Sequence, residues 1–219
     1  MESMPNRQTI SRALADLSHR FYDRGWALGT SGNFSAVISQ RPFRLAVTAS
    51  ARDKRTLQPT DIVRVDERGV VVGRRGKTAG RPSAETLLHL AIARARGAGA
   101  VLHTHSVWST LLSEIHAPTG GLSINGYEML KGLQGVTSHD HHEWIPILEN
   151  DQDMSRLARR VEETLEQHKA AHALLLRRHG LYAWGDTLAE AERHVEILEF
   201  LFEALGRFQR MDGGMPWRS

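Results

Sequence analysis

Cysteine is absent from the 219 residues. Disulfides, thiolate metal sites and cysteine nucleophiles are therefore excluded, and any metal must be held by His, Asp or Glu. No apolar run approaches the ~18 residues needed to cross a bilayer. The first ten residues, MESMPNRQTI, lack the apolar stretch of a secretory signal, so a soluble, cytoplasmic protein without a membrane partner is expected. Internal repeats, low-complexity tracts and long linkers are missing too, which points to one domain over residues 1–219. Charge of one sign is in short supply, the net value being +3. The basic residues that do gather, between Arg52 and Arg81, come with no recognised nucleic-acid-binding module. They read as a solvated face with a few groups that attract an anionic substrate, and no nucleic-acid partner is expected.

What is present is a globular composition, 41% hydrophobic and 24% charged, in a chain long enough to bury a core. Ile10, Ala13, Leu14, Leu17 and Phe21 recur at helical spacing and predict a helix over residues ~7–24. GTSGN marks a turn, with a strand leaving it from Phe34 to Ile38. RLAVTAS and DIVRVDERGVVVG suggest further strands, the second folded back at DERG. Pro82 and Ser83 open a helix that ends at Gly97. GAVLHTHS is a strand, VWSTLLSEI a helix, YEMLKGL a short helical piece, and HDHHEWIPI a loop with an edge strand before Pro146. DQDMSRLARRVEETLEQHK is a helix, HALLLRRHG a buried strand continued by LYAWG, and Thr187 with Glu190 a capping box that starts the last helix. The pattern predicts an α/β fold with a mixed, mainly antiparallel sheet layered with helices.

The chemistry-bearing residues are the histidines. On a strand, residues i and i+2 share a face. His103 and His105 in AVLHTHS therefore project side by side, as two ligands of one metal must, each nitrogen about 2.1 Å from a zinc ion. A half-buried strand with polar residues on its wet face would look the same. Two sources of a third ligand are available: His139, His141 and His142 in HDHH, or His179 where an apolar strand meets a glycine turn. His179 is favoured, because a rigid strand end fixes its geometry. GTSGN lacks the lysine and spacing of a phosphate-binding P-loop. It is either a simple turn or a set of backbone amides and hydroxyls offered to an anion.

Six segments, in order, resemble the class II aldolase/adducin superfamily, and its dehydratase branch above all: GTSGNFSA, TASARDK, RPSAETLLH, VLHTHS, YEMLKG and RRHGLYAWGDTLAEAERHVEILEFLFE. The resemblance runs from the first helix to the last and implies a three-layer fold. It implies that His103, His105 and His179 bind one zinc ion per subunit, and that Glu128 is the acid/base. It also implies that Thr30, Gly32, Asn33, Ser50 and Ser83 hold a substrate phosphate, aided by Lys54, with Glu85 near the metal. Read alone, Glu128 is a solvated neighbour of Lys131, and Glu85 a first-turn residue favoured by the helix dipole.

The activity implied is zinc-dependent loss of water from 5-methylthioribulose 1-phosphate, giving 2,3-diketo-5-methylthiopentyl 1-phosphate in methionine salvage, by a homotetramer. The alternative is an aldolase or 4-epimerase acting on another sugar phosphate. It is disfavoured because Tyr22, Tyr127 and Tyr182 all read as packing residues, whereas aldolases of the superfamily use a tyrosine for proton transfer. A non-catalytic adducin-like module is set aside because all three histidines are kept.

Overall fold

The computed structural model describes residues 7–73 and 80–212. Arg74, Arg75 and Lys77 of the basic stretch lie outside the described residues. Among the described residues eight strands form one sheet: β1 (Asn33–Gln40), β2 (Phe43–Thr48), β3 (Ile62–Val65), β4 (Ala100–Thr104), β5 (Gly121–Ile124), β6 (Glu143–Leu148), β7 (Ala173–Leu176) and β8 (Gly180–Gly185). Their spatial order is β3-β2-β1-β4-β8-β7-β6-β5. Every pairing is antiparallel except that of β6 with β7, so the sheet is mixed and mainly antiparallel as expected.

Helices cover both faces: α1 (Arg7–Asp23), α2 (Thr86–Arg96), α3 (Val107–Ile115), α4 (Met154–Gln167) and α5 (Leu188–Asp212). The period of two along the strands decides which layer each residue meets. Val101, Leu174, Leu176 and Tyr182 pack with Leu88 and Ile92 of α2 and Leu157 and Val161 of α4. Leu102, Leu175, Leu181 and Ala183 pack with Leu14 and Phe21 of α1, Leu112 of α3, and Leu198 and Phe202 of α5. Three layers result. The parallel β6–β7 pair needs a crossover, and α4 supplies it.

Local details depart from expectation in four places. β6 runs through Pro146 and is not an edge strand, since β5 lies outside it. The missing N–H is harmless because pairing with β7 begins only at Ile147. α2 starts at Thr86, not at Pro82–Ser83. Pro82 is drawn into an isolated bridge with Ala49, which keeps that segment extended. The DERG turn forms, Gly69 N–H donating to the Asp66 carbonyl. Its return strand is reduced to a single bridge, Val65 to Val71, because Val70 and Val71 stay exposed and gain nothing from pairing. In the last helix, Thr187 Oγ1 accepts from the Glu190 N–H at 3.1 Å, but Glu190 reaches back to the N–H of Asp186, one residue beyond the box.

Candidate metal centre and its cleft

Alternation along β4 turns Val101 and His103 to one face and Leu102 and Thr104 to the other. His105 follows directly after the strand on the His103 side. Their Nε2 atoms approach to 2.8 Å. His179 arrives from the tight β7–β8 turn, with its Nε2 3.3 Å from that of His103. The structure thus brings His179, and not the HDHH loop, to the pair. Glu85, in the turn just before α2, completes the group, with Oε2 3.3 Å from His103 Nε2 and Oε1 3.2 Å from His179 Nε2.

Backbone geometry makes the convergence possible. Gly180 sits against β4 so closely that an added Cβ would lie 2.0 Å from the Thr104 carbonyl. Gly32 has φ of +71° and would press a Cβ to 2.8 Å from the His103 carbonyl; both positions require glycine. Arg178, next to His179, is a non-glycine residue at φ of +54°. Its turn is fastened to α3 through Ser113 Oγ, which accepts the Arg178 N–H, and through Glu114, which pairs with Arg177 and Arg178.

The imidazoles are prepared as neutral ligands. His103 Nδ1–H donates to the Leu181 carbonyl at 2.9 Å, which leaves the Nε2 lone pair aimed at its neighbours. Its ring stacks on Tyr182 at 3.9 Å. Burial pushes His103 well below its ordinary value and His105 down to about 4, with the other histidines adding to both effects. His179 is lowered by burial too. All four donor atoms lie within 4.8 Å of one another.

Tetrahedral zinc with ligands at ~2.1 Å has donor–donor edges of about 3.4 Å, and the contacts of 2.8–3.3 Å found here need only a small expansion. Three neutral imidazoles and a carboxylate suit a divalent cation of borderline softness. These residues fit a metal ion.

Above the centre opens a cleft of about 370 Å³, walled by Thr30, Gly32, Asn33, Ser50, Lys54 and Ser83. All six residues expected to meet a phosphate are therefore gathered at the histidines. Two of them have further tasks. Asn33 Nδ2 donates to Glu85 Oε2 at 2.6 Å. Its Oδ1 accepts from Nε2–H of the buried His89, whose Nδ1 meets Ser35 Oγ at 2.7 Å. This chain of contacts orients Glu85. Lys54 is buried; its Nζ donates to the carbonyls of Thr30 and Arg52, and burial lowers the amine to about 8. It braces the loop while keeping a third N–H to give.

Glu128 is elsewhere. It begins the 3-10 turn Glu128–Gly132 with its side chain 73% exposed, 2.7 Å from Lys131, and does not line the cleft. The hydrogen bond from Lys131 holds its carboxyl below the ordinary value. Topology explains the separation. The centre lies at the C-terminal ends of β4, β6 and β7, and the chain leaves β5 at the opposite end, where Ile124 pairs with Glu143. A six-residue strand spans ~20 Å, so one chain does not bring Glu128 to its own histidines. The HDHH residues stay at that end as well: His139 is near Glu128, His141 bonds Glu143, and His142 bonds Ser123. None of the three tyrosines lines the cleft.

Residues 12–205 match the family described as Class II Aldolase and Adducin N-terminal domain. The methylthioribulose-1-phosphate dehydratase of Methylococcus capsulatus is 46% identical over 186 residues, covering 84% of this chain and 87% of that relative. Its counterpart from Alcanivorax borkumensis is 41% identical over 204 residues, 93% of each. Among solved structures, an L-fuculose 1-phosphate aldolase superposes with a TM-score of 0.76 at 21% identity, over 96% of this chain and 91% of that one. The L-fuculose-1-phosphate aldolase of Thermus thermophilus does so with 0.71 at 24% identity, over 96% and 98%. At such identities the likeness is one of fold.

Proposed function

The chain belongs to the class II aldolase and adducin family, and from that premise we propose that it dehydrates 5-methylthioribulose 1-phosphate to 2,3-diketo-5-methylthiopentyl 1-phosphate. One observation carries the reading: three neutral imidazoles and Glu85 converge at the floor of a cleft whose walls are amides, small hydroxyls and one lysine. The relatives that match over most of its length carry the dehydratase name.

His103, His105 and His179 would hold zinc, with Glu85 beside it. Bound there, zinc would supply Lewis acidity toward the substrate carbonyl, which would make the C3 proton removable. The remaining work falls to this chain. Thr30, Ser50 and Ser83 hydroxyls, the Gly32 amide and Lys54 hold the phosphate and set the sugar's direction. A carboxylate takes the proton from C3, and the electron pair left behind moves toward the carbonyl. The same group, now protonated, delivers that proton to the C4 oxygen as the C4–O bond breaks, so water leaves and the enol relaxes to the diketone. Glu128 is assigned this proton transfer.

Because Glu128 sits at the far end of its own sheet, it must reach the cleft of a neighbouring copy, which makes the active form a homo-oligomer; a tetramer is the form we assign. An apolar stripe supports this: Val107, Leu111 and Ile115 are 48–67% exposed on one face of α3, which starts two residues after His105.

The test is to incubate the pure zinc-loaded protein with methylthioribulose 1-phosphate and follow the diketone. An aldolase would release a shorter fragment and no diketone. Glu128→Gln should lower kcat by roughly 10²–10⁴-fold with zinc retained. Mixed oligomers of Glu128→Gln and His179→Ala, each inactive alone, should regain activity. Absence of complementation would show that Glu128 does not act across chains.

A further inference from the structure

The face of β4 opposite the cleft carries a group that the proposed chemistry leaves unused. Thr104 lies between the two cleft histidines and points the other way, into the layer of α5. Its Oγ1 donates to Glu199 Oε1 at 2.8 Å. Glu199 is 3% exposed, among the apolar side chains that α5 buries. Its second oxygen, Oε2, has no hydrogen-bond partner among the described residues. A leucine there would fill the same space without a desolvated oxygen, and burying an unanswered polar atom costs stability. The carboxyl is therefore expensive where it stands, and the hydrogen bond it makes shows where it acts. It is made with the hydroxyl of Thr104, the residue between His103 and His105.

The segment that follows Thr104 needs an external hold. The β4 ladder with β1 ends at His103 opposite Asn33, and that with β8 ends at Thr104 opposite Leu181. Beyond this point, the backbone of His105 is held by its N–H to the Trp26 carbonyl at 2.7 Å. Ser106 then turns the chain into α3 as its N-cap, accepting from the Ser109 N–H. Here the chain changes from strand to helix while presenting an imidazole to a metal.

We propose that Glu199 is a positioning residue for the metal centre, gripping Thr104 from behind so that His105 is held at a fixed tilt to His103. It touches neither the histidines' donor atoms nor the cleft. Burial pushes its carboxyl up to about 7, so a neutral amide is a close mimic of it. The inference rests on the metal reading of the preceding section, and the experiment separates the two.

Zinc affinity would be measured by competition with a chromophoric chelator for the wild type, Glu199→Gln, Glu199→Leu and Thr104→Val. The absorption bands of the cobalt(II)-loaded proteins would be recorded alongside. Glu199→Leu should fold at least as stably as the wild type, yet bind zinc roughly 10–100-fold more weakly, as when a group behind a metal ligand is lost. Its cobalt bands should shift, whereas Glu199→Gln should restore both values. Thr104→Val cuts the same contact from the other side and stands in should Glu199→Leu not fold. Combined with Glu199→Leu it should add little further loss. Wild-type affinity and spectrum in both Glu199→Leu and Thr104→Val would overturn the inference. A wild-type chain that binds no metal would instead sink the metal reading.

Discussion

At one end of the sheet His103, His105 and His179 gather around Glu85; at the other, His141 and His172 gather around Glu143. The residue types are the same, yet the hydrogen-bond accounts are opposite. In the first group a backbone carbonyl occupies His103 Nδ1–H, burial keeps the rings neutral, and the Nε2 atoms confront one another. In the second, His172 uses both ring nitrogens as donors, Nε2–H to the Gln134 carbonyl and Nδ1–H to Glu143. Glu143 also accepts from the His172 backbone N–H and from His141 Nε2–H. Burial would lower His172, but the bond and charge of Glu143 outweigh it and raise it above its ordinary value. Burial would raise Glu143, and the two histidines outweigh that and lower it. The second group is complete with protons; the first is arranged so that it could take a cation. Counting ligand-type residues would not separate them, whereas asking where each N–H goes does so.

The comparison breaks most visibly if metal follows the wrong cluster. His103→Ala or His179→Ala should abolish bound zinc and turnover together, while His172→Ala keeps its zinc, as read by elemental analysis of dialysed protein. Loss of zinc from His172→Ala would erase the distinction. Next in size is Glu143→Gln, which strips a buried, paired charge and leaves His172 and His141 facing an amide. It should lower unfolding stability by about 3 kcal/mol in urea titrations, with metal content unchanged.

The smallest effect is one of pH. His172 is raised in the folded state, so its contribution is complete below the unfolded value near 6.5 and fades as pH rises through the higher folded value. Glu143 is lowered, so its share is present above about 4.5 and fades as pH falls through the folded value. The stability gap between wild type and His172→Gln should thus be widest between those limits and narrow toward alkaline pH. A gap that instead widened above pH 8 would contradict the ion pair.

Much of the centre was legible because it depends on local periodicity. Alternation along AVLHTHS put His103 and His105 on one face, and a strand ending at a glycine turn marked His179. The position of Glu128 was hidden, because it depends on the order and direction of five strands, β4-β8-β7-β6-β5, which no local pattern carries. The reading of β6 as an edge strand failed for the same reason: Pro146 signals a missing donor but not which neighbour lacks it. Glu199 passed unnoticed among the apolar residues of the last helix, although the signal was available. It falls four residues after Val195 and three before Phe202, in the middle of the stripe that the helix buries. A lone carboxylate in such a stripe marks a group with a task behind the site.

His103 and His179 stand 76 positions apart in the chain, and Glu85 comes from a third segment. Closing loops of such length carries an entropy cost that must be met before the contacts they bring can repay it. In the unfolded chain only the His103–His105 pair remains as a local chelate, a weak one. A metal that binds the finished centre but not the open chain shifts the unfolding equilibrium in proportion to the logarithm of its free concentration. Metal supply would then regulate the lifetime of the protein as well as its turnover: in scarcity the chain unfolds more often and is exposed to proteolysis, and in plenty it is kept.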